Sequence, residues 1–349
     1  MRRVQDIASE RQRLNDLIRS FFRSRGYAEV ETPTLVASPD LAPNFTYFET
    51  TLVAPGEKPR QGALITSPEF SMKKLLGQGM EKIFTLARVF RNDEDLGGTP
   101  STGSGQVHNP EFTMLEWYKQ GADYHEMMDE TEALVREACA AFSKPATSPL
   151  ERGEPACRQA GMRGSAGAFR RLRVRDLLLD TAGVDLDTAS AADLAEACDR
   201  LGLHRDAADT ESDLFYRLFL AKAEPSIGTV PTFVYDYPLC QAALAAKTAD
   251  GKYAQRVELY VDGVELANGF TELTDATEQR ARFEAERAER VASGKSAFPV
   301  DEELLALLPS VRSPTYGNAL GIDRLHMLCI GTKEIGDVLL FPASKLFKA

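Results

Sequence analysis

The sequence predicts an α+β fold built on an antiparallel sheet flanked by helices. Three observations carry that prediction. Strand-like segments gather in two blocks, about 63–118 and 230–274, with helical sequence between them. Helices and strands therefore do not alternate one for one, which argues against a parallel, βαβ-wound sheet. The composition, 43% hydrophobic and 27% charged over 349 residues, is that of a globular protein with room for a large core.

Each element follows from its pattern. Residues 4–25 place Val4, Ile7, Leu14, Leu17, Ile18, Phe21 and Phe22 at helical spacing, and Gly26 supplies a stop. Arg11, Arg13, Arg19, Arg23 and Arg25 surround that stripe, as a solvated face or as a contact for an acidic partner. Pro33 keeps Val30-Glu31-Thr32-Pro33 extended. Ala63–Thr66, Lys82–Arg91 and Phe112–Tyr118 read as strands, the last with Phe112, Met114, Glu116 and Tyr118 on one face. Between the last two, Gly97 to Gln106 is too polar and glycine-rich to pack and predicts a mobile hairpin loop.

Helices are expected over 123–142 and 191–222, with the Pro/Gly-rich stretch 145–168 as a surface insertion. Strands resume over 230–274, and Glu278–Ser293 reads as a charged, exposed helix. Thr315–Ile330 reads as a glycine-punctuated strand that runs into a helix. No internal repeat is visible. The expected organisation is a single catalytic domain over 1–349 with a helical insertion at about 145–225.

Charge and cysteine usage exclude several classes. Forty-one basic against 52 acidic residues give a net charge of −11, the wrong sign for a general nucleic-acid binder. The five cysteines are odd in number and show no C-x-x-C spacing, so reduced thiols are expected rather than a disulfide framework or zinc site. No apolar run reaches the ~18 residues of a membrane-spanning helix, and no apolar stretch follows the basic N-terminus as in a signal peptide. A cytoplasmic protein without membrane contact is expected.

Three stretches carry chemistry. In Phe90-Arg91-Asn92-Asp93, returning through His108-Asn109-Pro110-Glu111-Phe112, an arginine and an aromatic on paired strands suit phosphate and base, or are incidental surface residues. In the second, Asp262-Gly263 forms a turn that lets Glu258 and Glu265 face each other across a hairpin. Facing carboxylates call for a cation such as Mg²⁺ on ATP phosphates, unless they are ordinary solvated acids. The third, Gly317-Asn318-Ala319-Leu320-Gly321-Ile322-Asp323-Arg324, brings bare backbone and an arginine to a helix start, where phosphate is favoured; alone it is a common structural device.

Together and in this order, these stretches resemble the signature motifs of class II aminoacyl-tRNA synthetases. Within them the chain is most similar to the lysyl-tRNA synthetase branch and its elongation factor P–(R)-β-lysine ligases. The resemblance runs from Gly26-Tyr27-Ala28-Glu29-Val30-Glu31-Thr32-Pro33 to the C-terminal helix. It includes Thr66-Ser67-Pro68-Glu69, His108 to Tyr118, Pro231-Thr232-Phe233-Val234-Tyr235 and Glu265 to Leu273.

The resemblance implies a class II catalytic fold that dimerises around Glu31-Thr32-Pro33, with ATP and Mg²⁺ as cofactors. Arg91 and Arg324 are then the catalytic residues, on the α-phosphate with the substrate carboxylate and on the γ-phosphate. Asn92, Asp93, Asn109, Phe112, Leu259 and Gly321 join them at the nucleotide, and Glu258 and Glu265 hold the metal. Ser67 and Glu69 meet the nearer amino group, and Glu116 and Tyr118 the distal ammonium. Glu265, Asn268, Phe270, Glu272 and Ala319 complete the substrate pocket. The implied activity is formation of a lysine-type adenylate and transfer to a lysine side chain of elongation factor P.

Departures from the synthetase pattern sharpen this expectation. Only one helix precedes the first motif, too little for an anticodon-reading OB-fold, so no tRNA substrate is expected. Ala319 stands where the synthetase has glycine, an extra methyl that favours a β-amino over an α-amino group. Asp93 replaces the usual glutamate, and the loop from Leu96 to Val107 is long for the ligases. The alternatives are a lysyl-adenylate-forming paralogue with another acceptor and a non-catalytic regulatory module. Retention of Arg91, Glu258, Glu265 and Arg324 argues against the second.

Overall fold

The computed structural model describes residues 2–92, 107–142 and 169–347; the expected loop at 97–106, the insertion at 145–168 and Asp93 lie outside them. The first helix, α1 (Val4–Ser24), ends where Gly26 takes a positive φ of 79°, as its sequence predicts. It buries Ile7, Leu14, Ile18, Phe21 and Phe22. Arg13, Arg23 and Arg25 are exposed, as on a solvated face, but most of the helix's arginines also have partners within the chain. Arg11 pairs with buried Asp323, Arg19 and Arg23 both pair with Glu29, and Arg25 lies over the Phe21 ring at 3.5 Å.

Strands follow as β1 (Ala28–Glu29), β2 (Leu35–Val36), β3 (Glu49–Leu52) and β4 (Arg60–Leu64), then helix α2 (Glu69–Gly77). Next come β5 (Lys82–Phe90), β6 (Glu111–Gln120), α3 (Tyr124–Phe142) and β7 (Arg170–Arg173). Three helices form a compact block: α4 (Val174–Ala182), α5 (Ala191–Arg200) and α6 (Glu211–Leu218). The expected single run over 191–222 is broken between α5 and α6. Gly202 takes a positive φ of 68°, and Thr210 with Asp213 builds a new capping box. Then follow β8 (Thr232–Pro238), β9 (Tyr253–Val261), β10 (Val264–Thr271), α7 (Ala276–Ala292), α8 (Glu302–Leu307), β11 (Thr315–Gly321), α9 (Ile322–Ile330) and a short last helix, α10 (Ala343–Leu346).

The main sheet has eight strands in the order β1-β5-β6-β11-β10-β9-β8-β7. All central pairs are antiparallel, and only the edge strands β1 and β7 run parallel to their neighbours. The α+β fold with an antiparallel sheet flanked by helices therefore holds. Helices α1, α3 and α9 cover one face, where Trp117, Phe84, Leu115, Leu259, Leu266 and Leu320 form the main core. Trp117 is fully buried beside Phe22, and truncating such a side chain costs about 3–5 kcal/mol.

The other face stays open between two walls. One wall is the α4–α6 block, whose core includes Val234, Tyr237 and Tyr260 from the sheet. The other is the small antiparallel sheet β2-β4-β3 together with α2, α7 and α8. The helix α7 is charged as expected but not wholly exposed: Arg290 is buried and donates to the carbonyls of Ala42 and Phe45, pinning the segment that precedes β3.

Candidate active site

Register, more than sequence proximity, assembles the site. One row crosses the sheet with Thr85 opposite Glu116, Glu116 opposite Ala319, Ala319 opposite Asn268, and Asn268 opposite Glu258. Residues directly opposite share a face, so Glu116, Ala319, Asn268 and Glu258 all project from the open side. Two residues along, Tyr118, Gly317, Phe270 and Arg256 form a parallel row on the same side. Gly317 is required there, because a Cβ would overlap Glu272 Oε1 and the Tyr118 ring.

The expected turn at Asp262-Gly263 is present, with both residues at positive φ (52° and 75°) as a tight hairpin needs. The expected facing of Glu258 and Glu265 is not. A bulge between Glu265 and Ala267 sets Tyr260 opposite Glu265 and Asn268 opposite Glu258, so the two acids are diagonal neighbours. Without that extra residue, strict alternation would turn Glu265 into the core; the bulge re-aims it to the open face.

At this end the charges are dense. Glu258 Oε1 accepts from Arg256 Nη2 (2.6 Å) and Asn268 Nδ2 (3.0 Å), and Oε2 from the hydroxyls of Tyr237 (2.5 Å) and Tyr260 (2.7 Å). Burial and the charge of Glu258 push the Glu265 carboxyl above the ordinary range, while Arg324, Arg256 and Arg91 oppose that shift. Arg324 Nη1 donates to the Glu265 carbonyl at 2.7 Å. The Arg91 guanidinium lies between the rings of Phe45 (4.5 Å) and Phe112 (5.2 Å). Phe112 thus stands against Arg91, whatever it offers a base.

The opposite end is a carboxylate pocket. Glu116 is fully buried, with Ser67 Oγ donating to Oε1 at 2.6 Å and Tyr118 Oη to Oε2 at 2.8 Å. Burial, then the charge of Glu69, pushes its carboxyl up to about 8. Glu272, also buried, is pushed up to about 8, chiefly by burial and against the pull of Lys73. Lys73 Nζ lies 2.5 Å from Glu69 Oε1 and 2.6 Å from Glu272 Oε2. A pocket of acids that would rather be neutral is one that gains from a cationic guest.

Most of the expected residues therefore meet on one face: Ser67, Glu69, Glu116, Tyr118, Asn268, Phe270, Glu272 and Ala319 toward one end, Arg91, Glu258, Glu265 and Arg324 toward the other. Two do not fit as expected. The Leu259 side chain faces the core, because it alternates with Glu258, leaving only its backbone for a nucleotide. The Asn109 amide is already engaged: Nδ2 donates to the Glu111 carbonyl at 2.5 Å, and Oδ1 accepts from Ala343 N at 2.8 Å, anchoring the C-terminal segment. Asn92 sits in a bridge with Thr46 at the mouth of β5. Gly321, the residue before α9, has only the Arg324 side chain near its missing Cβ, at 3.7 Å and beyond.

Sequence reasoning missed Lys73 and Arg256. Both carried a signal. Lys73 follows Glu69 by four residues, a helical pair, and Arg256 precedes Glu258 by two on one strand face.

The donor set fits Mg²⁺ in part. Among the described residues no group of three or more His, Cys, Asp or Glu could hold a metal. Mg²⁺ on nucleotide phosphates needs only one or two carboxylates, and Glu265 fits that role. Glu258 has about four lone-pair sites, all filled by protein donors, so ligation by it requires displacing one of them. Among the described residues no helix is long and apolar enough to cross a membrane.

Comparison with known proteins agrees with this geometry. The chain is 40% identical over 334 residues to the elongation factor P–(R)-beta-lysine ligase of Pectobacterium atrosepticum, covering 94% of this chain and 92% of that one. It is 39% identical to the proteins of the same name from Proteus mirabilis and Vibrio cholerae, in each case over 93% of this chain and 91% of the relative. A family model described as tRNA synthetases class II (D, K and N) matches residues 1–345, and the chain belongs to that family.

Proposed function

We propose that this protein is an ATP-dependent, AMP-forming ligase that activates (R)-β-lysine, or lysine, as its adenylate and transfers it to a lysine side chain of elongation factor P. One observation carries the reading: Arg324, Arg256 and Arg91 gather around Glu265, while the acids Glu69, Glu116 and Glu272 form a separate cluster. An amino acid with a carboxylate at one end and ammonium groups at the other matches that polarity.

The chemistry asks little of the protein beyond placement. A substrate carboxylate oxygen forms a bond to the α-phosphorus while the bond to the leaving pyrophosphate breaks, and no side-chain base is needed. Arg91 orients the carboxylate and α-phosphate in line, and with Arg324 it stabilises the charge that develops. Glu265 would hold Mg²⁺ on the phosphates, and that ion would supply further charge neutralisation. Glu69 receives the nearer amino group, and Glu116 with Tyr118 the distal ammonium. The acceptor amine then attacks the acyl carbon and AMP leaves.

Several finer points belong to the same reading. The protein acts as one catalytic unit, in the cytoplasm, and the four described cysteines are free thiols compatible with that setting. It pairs as a homodimer around Glu31-Thr32-Pro33, where Leu35, Leu52 and Val53 are exposed apolar residues nearby. Transfer to tRNA is negligible. The test is an acceptor assay with ATP, Mg²⁺ and either diamino acid, with elongation factor P or bulk tRNA, read by intact mass. A mass gain on elongation factor P supports the reading. Charging of tRNA instead favours a lysyl-adenylate-forming paralogue.

A further inference from the structure

Lys73 is a buried cation that the adenylation chemistry does not use. Its side chain is 2% exposed, and its ammonium lies between Glu69 and Glu272, with the Phe270 ring 5.2 Å away. It is fixed by helix geometry, four residues after Glu69 in α2, and is almost wholly shielded from solvent. A buried ammonium is tolerated only because carboxylates surround it, and they keep it charged against the cost of burial. Glu272 is the complementary oddity. Its Lys73 contact falls outside hydrogen-bond geometry, and neither carboxylate oxygen has a hydrogen-bond partner among the described residues, although the side chain is buried. Gly317 leaves the space into which Glu272 Oε1 points.

We infer that Lys73 is a specificity-determining residue that sets how many ammonium groups the pocket accepts. The inference rests on the proposed amino-acid-activating function of this face. Three carboxylates, Glu69, Glu116 and Glu272, lie close enough together for Glu69 to push the other two carboxyls up, and Lys73, paired with Glu69 and Glu272, offsets one of the three charges. Two negative charges remain for the guest. A diamino acid supplies two ammonium groups at that end while its carboxylate goes to Arg91, so the filled pocket is neutral. A monoamino acid leaves one buried carboxylate unpaired, and a pocket without Lys73 leaves one unpaired even with the correct guest.

The hydrogen-bond donors to Glu116 are neutral: Tyr118 and Ser67 both donate to it and carry no charge. Beyond Glu69, Asp40 in the loop before β3 and Glu286 in α7 add negative charge, which Arg282 of α7 partly opposes. Lys73 is thus the cation that α2 contributes to the pocket. With the pocket empty, protons on Glu116 and Glu272 take the place of ammonium groups, so diamino-acid affinity rises with pH toward about 8.

The test is calorimetric binding of lysine and of β-lysine to wild type, K73M, E272Q and K73M/E272Q, with thermal unfolding of each. K73M keeps the length of the side chain and removes its charge. It is expected to weaken binding at pH 7 by at least about tenfold, the scale of one uncompensated buried charge. K73M/E272Q removes one charge of each sign and is expected to bind more tightly than K73M, a compensation that a merely space-filling lysine would not show. Unchanged binding in K73M, or a double variant no better than K73M, overturns the inference. Loss of folding in both overturns it as well, since Lys73 would then act on stability. Wild type that binds neither diamino acid refutes both readings. Wild type that binds them yet forms no adenylate in pyrophosphate exchange refutes only the proposed function.

Discussion

Glu258 and Glu272 are acids buried on the same sheet face, yet their surroundings differ. Glu258 accepts four hydrogen bonds, from Arg256, Asn268, Tyr237 and Tyr260, and its charge is fully accommodated by the protein. Glu272 has an ion pair with Lys73 and no hydrogen bond among the described residues. The first arrangement suits a residue that fixes geometry, since four donors hold it in one place. The second suits a residue whose charge the protein matches only in part, through Lys73. The phosphate end is preorganised, whereas the amino-acid end is completed by its ligand.

Damage at the two ends should therefore appear in different kinetic constants. The largest effect is expected from removing Mg²⁺: excess chelator should abolish amino-acid-dependent ATP–pyrophosphate exchange, and undiminished activity would remove the metal from the scheme. Arg91→Ala should come next, lowering kcat by about 10²–10³-fold in a folded protein, as for loss of one charge-stabilising donor. Normal turnover by this variant would show that Arg91 is misassigned.

Glu116→Gln should act mainly on KM for the amino acid, raising it on the order of 10²-fold because a buried ammonium loses its partner. A pure kcat effect would erase the distinction between the two ends. Ala319→Gly probes the boundary between them, since Ala319 lies between Glu116 and Asn268 in the register. It should shift kcat/KM toward α-lysine relative to β-lysine by about 1–3 kcal/mol, ~10–200-fold, as one methyl's volume is cleared. An unchanged ratio would mean that this methyl only fills space beside Ile65, Val89 and Met114.

The smallest effect concerns stability. Glu116 and Glu272 are both raised to about 8, so the stability their neutral forms provide is complete below the ordinary carboxylate range and is lost as pH rises through about 8. The ligand-free protein should therefore melt at a lower temperature at pH 9 than at pH 6. Saturating diamino acid should reduce the difference, because its ammonium groups stabilise the ionised carboxylates. A ligand-independent difference would place the titration elsewhere.

What the sequence determined by itself was local and periodic. The apolar stripe and Gly26 defined α1, Asp262-Gly263 defined the β9–β10 turn, and alternation put Glu116 and Tyr118 on one face of β6. These depend on neighbours a few residues away, and the sequence states such neighbours directly. The tertiary structure decided what depends on contact between distant segments. The bulge that turns Glu265 outward exists only in pairing with Tyr260. The α1 arginines found Asp323 and Glu29, and the Asn109 amide was claimed by Ala343, 234 residues away. Lys73 looked like any helical lysine until the fold carried Glu272 to within 2.6 Å of it. A charge takes its meaning from what lies within a few ångströms, and chain folding sets that distance.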